Sequence, residues 1–288
     1  MKVLILGAAG MLGNAVYSVL SATEHQVYAT LRNATMAAHF NASLQNNLIS
    51  DVDVLNSERL AEVLTQVKPD VVVNCIGLIK QLDNANDPLA VLPINALFPH
   101  QLAMACANID ARLIHISTDC VFNGRKGLYK ETDLSDAEDL YGKSKFIGEL
   151  HDLPHAVTLR TSIIGHELNS NDSLVDWFLS QTGTVKGYKK AIFSGLPTVE
   201  LARVIKDFVM PRTDLQGLYH VSADPIDKYT LLNLIANIYG KEIEIIADEK
   251  VHIDRSLNSD KFRQATGYQP PSWPILIEKM YHANKGIG

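Results

Sequence analysis

A chain of 288 residues with 47% hydrophobic and 20% charged side chains can bury a large core, as one large domain or a principal domain carrying a smaller lobe. Its formal net charge of −6 gives no electrostatic footing for nucleic acid or an anionic membrane. Cys75, Cys106 and Cys120 form no metal-type pair and suit a reducing cytosol, and the ten histidines show no ligand spacing, so no metal site is expected.

Lys2–Leu6 is a short apolar run that opens into Gly7-Ala8-Ala9-Gly10-Met11-Leu12-Gly13, followed by a helical pattern through Val16, Val19 and Leu20. The run superficially resembles a leader peptide, but it is far short of the ~20 residues a membrane span needs. Strand, glycine turn and helix is instead the context of a dinucleotide fingerprint, so a soluble cytoplasmic protein is expected. Gly7 permits the tight turn, Gly10 lets backbone approach a pyrophosphate, and Gly13 lets helix pack on strand. The helix N-terminus then offers unpaired N–H groups to the phosphates.

Residues 26–30 read as a second strand, ending beside Arg32 where NAD-binding chains carry an acid for the ribose hydroxyl. A guanidinium there suits a 2′-phosphate, so NADP(H) is expected, with NAD(H) as the alternative. Residues 48–52 read as a third strand, leaving Asp53 and Val54 to flank an adenine. Ser57–Val67 is an amphipathic helix capped by Asn56 or Ser57. A buried strand over 71–75 ends in Cys75-Ile76-Gly77, expected beside the cofactor because Gly77 allows close backbone approach. Asp87-Pro88 starts a long helix that runs to about Asn108, interrupted near Pro93 and Pro99.

Residues 112–116 form another buried strand, placing Ser117, Thr118 and Asp119 at its C-terminal end, where open α/β sheets bind ligands. From Tyr141 to His151 the spacing turns helical, so Tyr141 and Lys145, four apart, share one face. A hydroxyl, a phenol and an ammonium can then converge on one carbonyl oxygen, the arrangement for hydride transfer. The same Tyr-x-x-x-Lys spacing recurs at Tyr281/Lys285, but no Ser/Thr-ended strand precedes it, and it reads as a surface pair. After a strand over 156–160 the βαβ rhythm fails: 169–172 is polar, 174–179 apolar and aromatic, and 183–190 a Gly/Lys-rich loop. Helices over 197–210 and 229–239, strands over 218–222 and 243–247, and a turn at 270–274 complete the chain. The expected fold is α/β: a doubly wound parallel Rossmann sheet over 1–165, with re-entry around 191–213, and a smaller α/β substrate lobe over 166–288.

Together, the glycine triplet, Ser117-Thr118-Asp119 and Tyr141/Lys145 resemble the extended short-chain dehydrogenase/reductase family. Ser-Thr-Asp-x-Val-Phe-x-Gly followed by Tyr-Gly-x-Ser-Lys, Gly195-x-Pro197-Thr198 and the late Arg255…Trp273 segment are similar to its dTDP-4-dehydrorhamnose reductase group. The resemblance implies reduction of the C4 ketone of a nucleotide-linked 4-dehydro-6-deoxy sugar by NAD(P)H, for deoxysugar or surface polysaccharide synthesis. It implies catalysis by Thr118, Tyr141 and Lys145. Gly7, Gly10, Met11, Gly13, Arg32, Asp53, Val54, Cys75, Ile76, Gly77 and Ser117 fall on cofactor positions, with Tyr141 and Lys145 also reaching the cofactor. Val121, Phe122 and Arg255 would face the substrate, Arg255 as a diphosphate partner. The implied partner is the nucleotide sugar; no nucleic acid or membrane is expected, and a homodimer is compatible.

There are departures. Cys120 stands where these reductases carry an aromatic, Asp139-Leu140 replaces a proline-containing run, and Ser256 follows Arg255 in place of proline. An N-acetylated, uridine-linked 6-deoxyhexulose is an alternative substrate, a nucleotide-sugar 4-epimerase an alternative activity, and a non-catalytic NADP-binding protein an alternative class. Cys120 argues against a 4,6-dehydratase, which carries a carboxylate there. In the mechanism expected, the Lys145 ammonium and the nicotinamide cation formed on hydride loss lower the Tyr141 pKa, and the phenol donates its proton to the developing alkoxide.

Overall fold

In the computed structural model, which describes residues 1–79, 85–168 and 172–286, strand and helix alternate through the first half of the chain. The elements are β1 (Lys2–Leu6), α1 (Met11–Ser21), β2 (Gln26–Thr30), α2 (Ala42–Gln45), β3 (Leu48–Ile49), α3 (Ser57–Val67), β4 (Val71–Asn74), α4 (Pro88–Leu92), α5 (Phe98–Ala107), β5 (Arg112–Thr118), α6 (Leu140–Ile147) and β6 (Ala156–Thr161). The second half adds β7 (Ile163–Ile164), α7 (Leu174–Ser180), β8 (Thr184–Phe193), β9 (Leu196–Pro197), α8 (Thr198–Val204), β10 (Gly217–His220), β11 (Ile226–Asp227), α9 (Lys228–Tyr239), β12 (Glu244–Asp254), α10 (Asp260–Thr266) and α11 (Trp273–Lys285).

Seven strands, in the order β10-β6-β5-β4-β1-β2-β3, form an all-parallel sheet, the doubly wound arrangement expected. The central strands carry valine, isoleucine and leucine on both faces because each face is covered. One cluster packs α1, α8, α9 and α11 against residues such as Val3, Ile5, Val73 and Ile114. The other packs α3 and α5 against Leu4, Leu6, Val72 and Leu113. The chain winds outward in both directions from between β1 and β4, and the crevice at such a switch point is where ligands bind.

Caps fall where the sequence places them: Asn56 accepts from the Arg59 N–H at the start of α3, and Asp87 from the Leu89 N–H at the start of α4. The long helix is continuous from Pro88 to Ala107, and a π-turn at Pro93–Leu97 absorbs the prolines. It is long and apolar enough to cross a membrane, but Phe98, Leu102, Ala103 and Cys106 bury its inner face against the sheet.

Several expectations are corrected. The strand read over 48–52 is only Leu48–Ile49, because Asp51 takes a left-handed φ of 58° that ends the extended backbone. The tyrosine helix stops at Ile147 instead of His151; a Cβ at Gly148 would lie 2.0 Å from the Asn95 carbonyl oxygen, so the chain there is pressed against the π-turn. The largest correction is the loop over 183–190, which is the start of strand β8. There Val185, Gly187, Ala191 and Phe193 are buried, Lys186 and Lys190 lie on the opposite, solvated face, and Lys189 sits exposed on the buried side with its ammonium 5.5 Å from the Tyr229 ring centroid. Its partner β12 runs on to Asp254, well past the expected 247. Residues 217–220 add the seventh strand of the main sheet, and 226–227 pair with β8 in a second sheet, β11-β8-β12. The polar stretch at 169–172 lies, except for Asp172, outside the described residues.

Candidate active site

The glycine turn builds the first wall. Gly7 takes a φ of 88°, open to glycine at no cost, and its N–H donates to Thr30 Oγ1 at 3.2 Å. Gly10 is the N-cap of α1 and supplies no side chain to the first helical amides, which leaves them for an anion. A Cβ on Gly13 would stand 2.0 Å from the Gly7 carbonyl oxygen, so only glycine lets α1 sit this close to the turn. Met11 opens the helix and reaches the 165/198 region: a Cβ on Gly165 would meet its sulfur at 3.2 Å. Arg32 lies exposed just beyond β2 and makes no ion pair among the described residues. Asp53 accepts from the Leu55 N–H at 3.0 Å, a tight turn that buries Val54. This backbone cradle, helix terminus and unpaired guanidinium fit a dinucleotide bearing a 2′-phosphate.

On the other side of the switch point, Cys75 donates its N–H to the Leu6 carbonyl and Ile76 donates to Asn74 Oδ1 at 3.1 Å. Ile76 touches the Gly7 turn: a Cβ on Gly7 would be 2.8 Å from its Cγ1. A Cβ on Gly77 would contact Asn95 Oδ1 at 3.4 Å and Lys145 Nζ at 3.8 Å. Gly77 is thus the point where the cradle meets the reacting groups.

Those groups converge as the spacing implies. Asp139 caps α6 by accepting from the Gly142 N–H at 2.7 Å, which sets the helix so that Tyr141 and Lys145 face β5. The Tyr141 phenol is half-buried and hydrogen-bonded to the Thr118 hydroxyl. Lys145, 5% exposed, donates from Nζ to the Ile116 carbonyl at 2.8 Å. Burial pulls the ammonium down to about 8, opposed by the Glu149 carboxylate. With no dinucleotide beside it, the phenol is raised above its ordinary value by burial and by neighbouring Cys120, Asp119 and Asp139, while the Thr118 hydrogen bond lowers it. Lys145 is held in place by the strand carbonyl, and the phenol beside Thr118 keeps its proton near neutral pH.

The remaining residues are placed differently. Ser117 is buried, and its hydroxyl donates to Glu149 Oε1 at 2.6 Å, so its side chain is turned to that carboxylate. The expectation that Val121 and Phe122 face the substrate is corrected: both are fully buried, the Val121 carbonyl accepts from the Ser135 hydroxyl and the Phe122 carbonyl from Arg255 Nε, so they form the wall behind the cleft. Phe122 stacks on Tyr129 with centroids 4.0 Å apart. Arg255 is drawn onto the same loop, donating from Nε to the Phe122 carbonyl at 2.7 Å. Tyr281/Lys285 is a surface pair on α11, the ammonium 4.3 Å from the ring centroid.

Sequence reasoning missed Asn95. Buried in the π-turn, it accepts from the Leu78 N–H at 2.9 Å and donates to the Leu78 carbonyl at 3.0 Å and Ser144 Oγ at 3.3 Å. It ties the Gly77 loop to the helix carrying Tyr141 and Lys145. A polar residue between two prolines of an apolar helix was the available signal, since π-turns cluster at functional sites.

Comparison with known proteins places this geometry. Residues 1–284 match the family described as RmlD substrate binding domain. A dTDP-4-dehydrorhamnose reductase of Aggregatibacter actinomycetemcomitans is 25% identical over 97% of this chain and 98% of its own length. The methionine adenosyltransferase 2 subunit beta of Bos taurus is 26% identical over 97% of this chain and 90% of its own. The crystal structure of a Bacillus anthracis dTDP-4-dehydrorhamnose reductase in complex with NADP superposes with a TM-score of 0.79, at 22% identity, over 98% of this chain and 99% of that one.

Proposed function

We propose, from the premise that this chain belongs to the RmlD substrate binding domain family, that it is an NADP-dependent reductase of the C4 ketone in a nucleotide-linked 4-dehydro-6-deoxy sugar. The observation that carries this reading is the meeting of Thr118, Tyr141 and Lys145 at the end of β5, beside the Gly77 loop and the glycine turn. The bound dinucleotide would supply the hydride. The N-terminal amides of α1 would hold its pyrophosphate and Arg32 its 2′-phosphate. Thr118 and Tyr141 then grip the ketone oxygen, and the protonated phenol delivers its proton to the alkoxide as the negative charge develops. Lys145, anchored on Ile116, places a positive charge under the same oxygen and beside the loop that borders the cofactor. Arg255, fixed on the Phe122 carbonyl by Nε, keeps its remaining guanidinium N–H groups for the diphosphate.

The similarity to proteins named as the beta subunit of methionine adenosyltransferase 2 gives weight to a second reading for this chain, a subunit that binds the dinucleotide without turning over. A complete Thr/Tyr/Lys set speaks for the first, since binding alone does not require a proton donor. Purified protein with NADPH and a dTDP-linked 4-dehydro-6-deoxyhexose separates them. Stoichiometric NADPH oxidation is expected of the reductase. Binding without oxidation would select the subunit, and inversion at C4 of the corresponding 4-hydroxy sugar nucleotide, with no net consumption of dinucleotide, would select an epimerase.

A further inference from the structure

Behind the reacting groups, the sheet registers Ser117 of β5 against Arg160 of β6, and Arg160 against His220 of β10. The three form one cross-strand row. Glu149, just past the end of α6, closes on that row: Oε1 accepts from Ser117 Oγ at 2.6 Å and from Arg160 Nε at 2.8 Å, and Oε2 accepts from Arg160 Nη2 at 2.5 Å. Both charged side chains are essentially inaccessible, at 1% for Arg160 and 0% for Glu149. Arg160 continues from Nη1 to His220 Nε2 at 2.9 Å, and His220 Nδ1 meets the Tyr129 carbonyl at 3.0 Å. The guanidinium also lies 5.0 Å from the centroid of Phe122, the ring stacked on Tyr129. Tyr129 in turn bridges to Leu257 and donates its N–H to the Ser256 carbonyl, beside Arg255.

We propose that Glu149 is a positioning residue for the reaction, joining the helix of Tyr141 and Lys145 to the loop bearing Phe122 and Arg255 through the Ser117–Arg160–His220 row. This rests on the reductase reading. A buried ion pair of this kind contributes little net stability compared with an apolar pair, and its better-attested use is in fixing one arrangement. Here the arrangement fixed is the distance between the proton donor and the wall that seats the sugar nucleotide. Glu149 also stands one helical turn from Lys145. The other titratable groups around that ammonium are Cys75, just past β4, His115 from β5, and Tyr141 on the same helix, whose raised phenol is neutral near pH 7. Burial holds the Cys75 thiol up to about 12 and the His115 imidazole well below its usual range, so neither carries a charge near pH 7. The negative charge facing Lys145 is therefore that of Glu149.

Two substitutions test this with the full chain, NADPH and a dTDP-linked 4-dehydro-6-deoxyhexose. Glu149→Gln should move the alkaline limb of kcat/KM down by about one pH unit, because Lys145 loses its opposing charge, and should raise the KM for the sugar nucleotide. Should the unpaired Arg160 unfold that variant, Glu149→Gln/Arg160→Met carries the same expectation without a stranded charge. His220→Leu should raise the sugar-nucleotide KM several-fold while leaving the NADPH KM and the alkaline limb in place. A merely structural role would not separate these readouts. An unmoved limb on loss of Glu149, or a wild-type sugar-nucleotide KM in His220→Leu, overturns the proposal. Absence of turnover in the wild type would count against the reductase reading alone, and calorimetric binding of the same sugar nucleotide would then report the effect of His220→Leu.

Discussion

Replacing Gly13 by alanine tests the dinucleotide cradle at its tightest point. The added Cβ would lie 2.0 Å from the Gly7 carbonyl oxygen, 2.8 Å from the Gly7 carbonyl carbon and 3.2 Å from the Ala8 Cα. All three are backbone atoms, so no side chain can swing away. Restoring ordinary contact at 3.4 Å needs a displacement of about 1.4 Å (3.4 less 2.0), which either lifts the N-terminus of α1 or distorts the turn. Overpacking of this kind costs about 1–3 kcal/mol, which for a chain of this size lowers Tm by about 2–10 °C. The same displacement carries the helix amides off the pyrophosphate, and misplacement on the order of 1 Å can cost about 10²-fold in function. Gly10→Ala is the control: its Cβ would rest 3.5 Å from the Gly7 oxygen, an ordinary contact, so Tm should hold while the methyl group obstructs the anion. Differential scanning calorimetry and NADPH fluorescence titration read the two effects apart. A Gly13→Ala protein with wild-type Tm and wild-type NADPH affinity would refute the close packing of helix on turn as the reason for glycine.

Three further outcomes are expected. Tyr141→Phe removes the proton donor and should lower kcat by roughly 10²–10⁴-fold with NADPH affinity unchanged by fluorescence titration; near-normal turnover would remove the phenol from the mechanism. In the wild type, kcat/KM should fall as pH rises through about 8, because the lowered Lys145 loses its proton there and the reaction needs it charged; a rate that is flat from pH 7 to about 9.5 by stopped-flow would contradict this. Arg32→Ala should weaken NADPH binding by about 10–100-fold through loss of a charge-assisted contact, while NADH binding stays the same; equal weakening of both dinucleotides would show that Arg32 does not meet the 2′-phosphate.

Much of the site was legible because its parts are local. A strand that opens into Gly7, Gly10 and Gly13 has few other physical uses, and a tyrosine and lysine four apart must share a helical face. The misreadings have equally local causes. Lys186, Lys189, Lys190 and Gly187 made β8 look like a loop, since glycine and lysine are poor strand formers and only pairing with β12 makes them one. The rise of the Tyr141 pKa in the protein without dinucleotide was not legible, because desolvation is a sum over everything packed around the phenol.

By itself the sequence determined the parallel sheet, the glycine cradle, the strand end at Thr118 and the helix that presents Tyr141 and Lys145, because each depends on residues within a few positions of one another. Only the tertiary structure decided that Asn95 ties the Gly77 loop to that helix, that Ser117 turns to Glu149, and that Arg160 and His220 line up behind Phe122. These contacts join residues 17 to 60 positions apart across strands whose register and order no local pattern encodes. Burial, which sets the charge on Lys145 and the proton on Tyr141, likewise exists only once those strands are assembled.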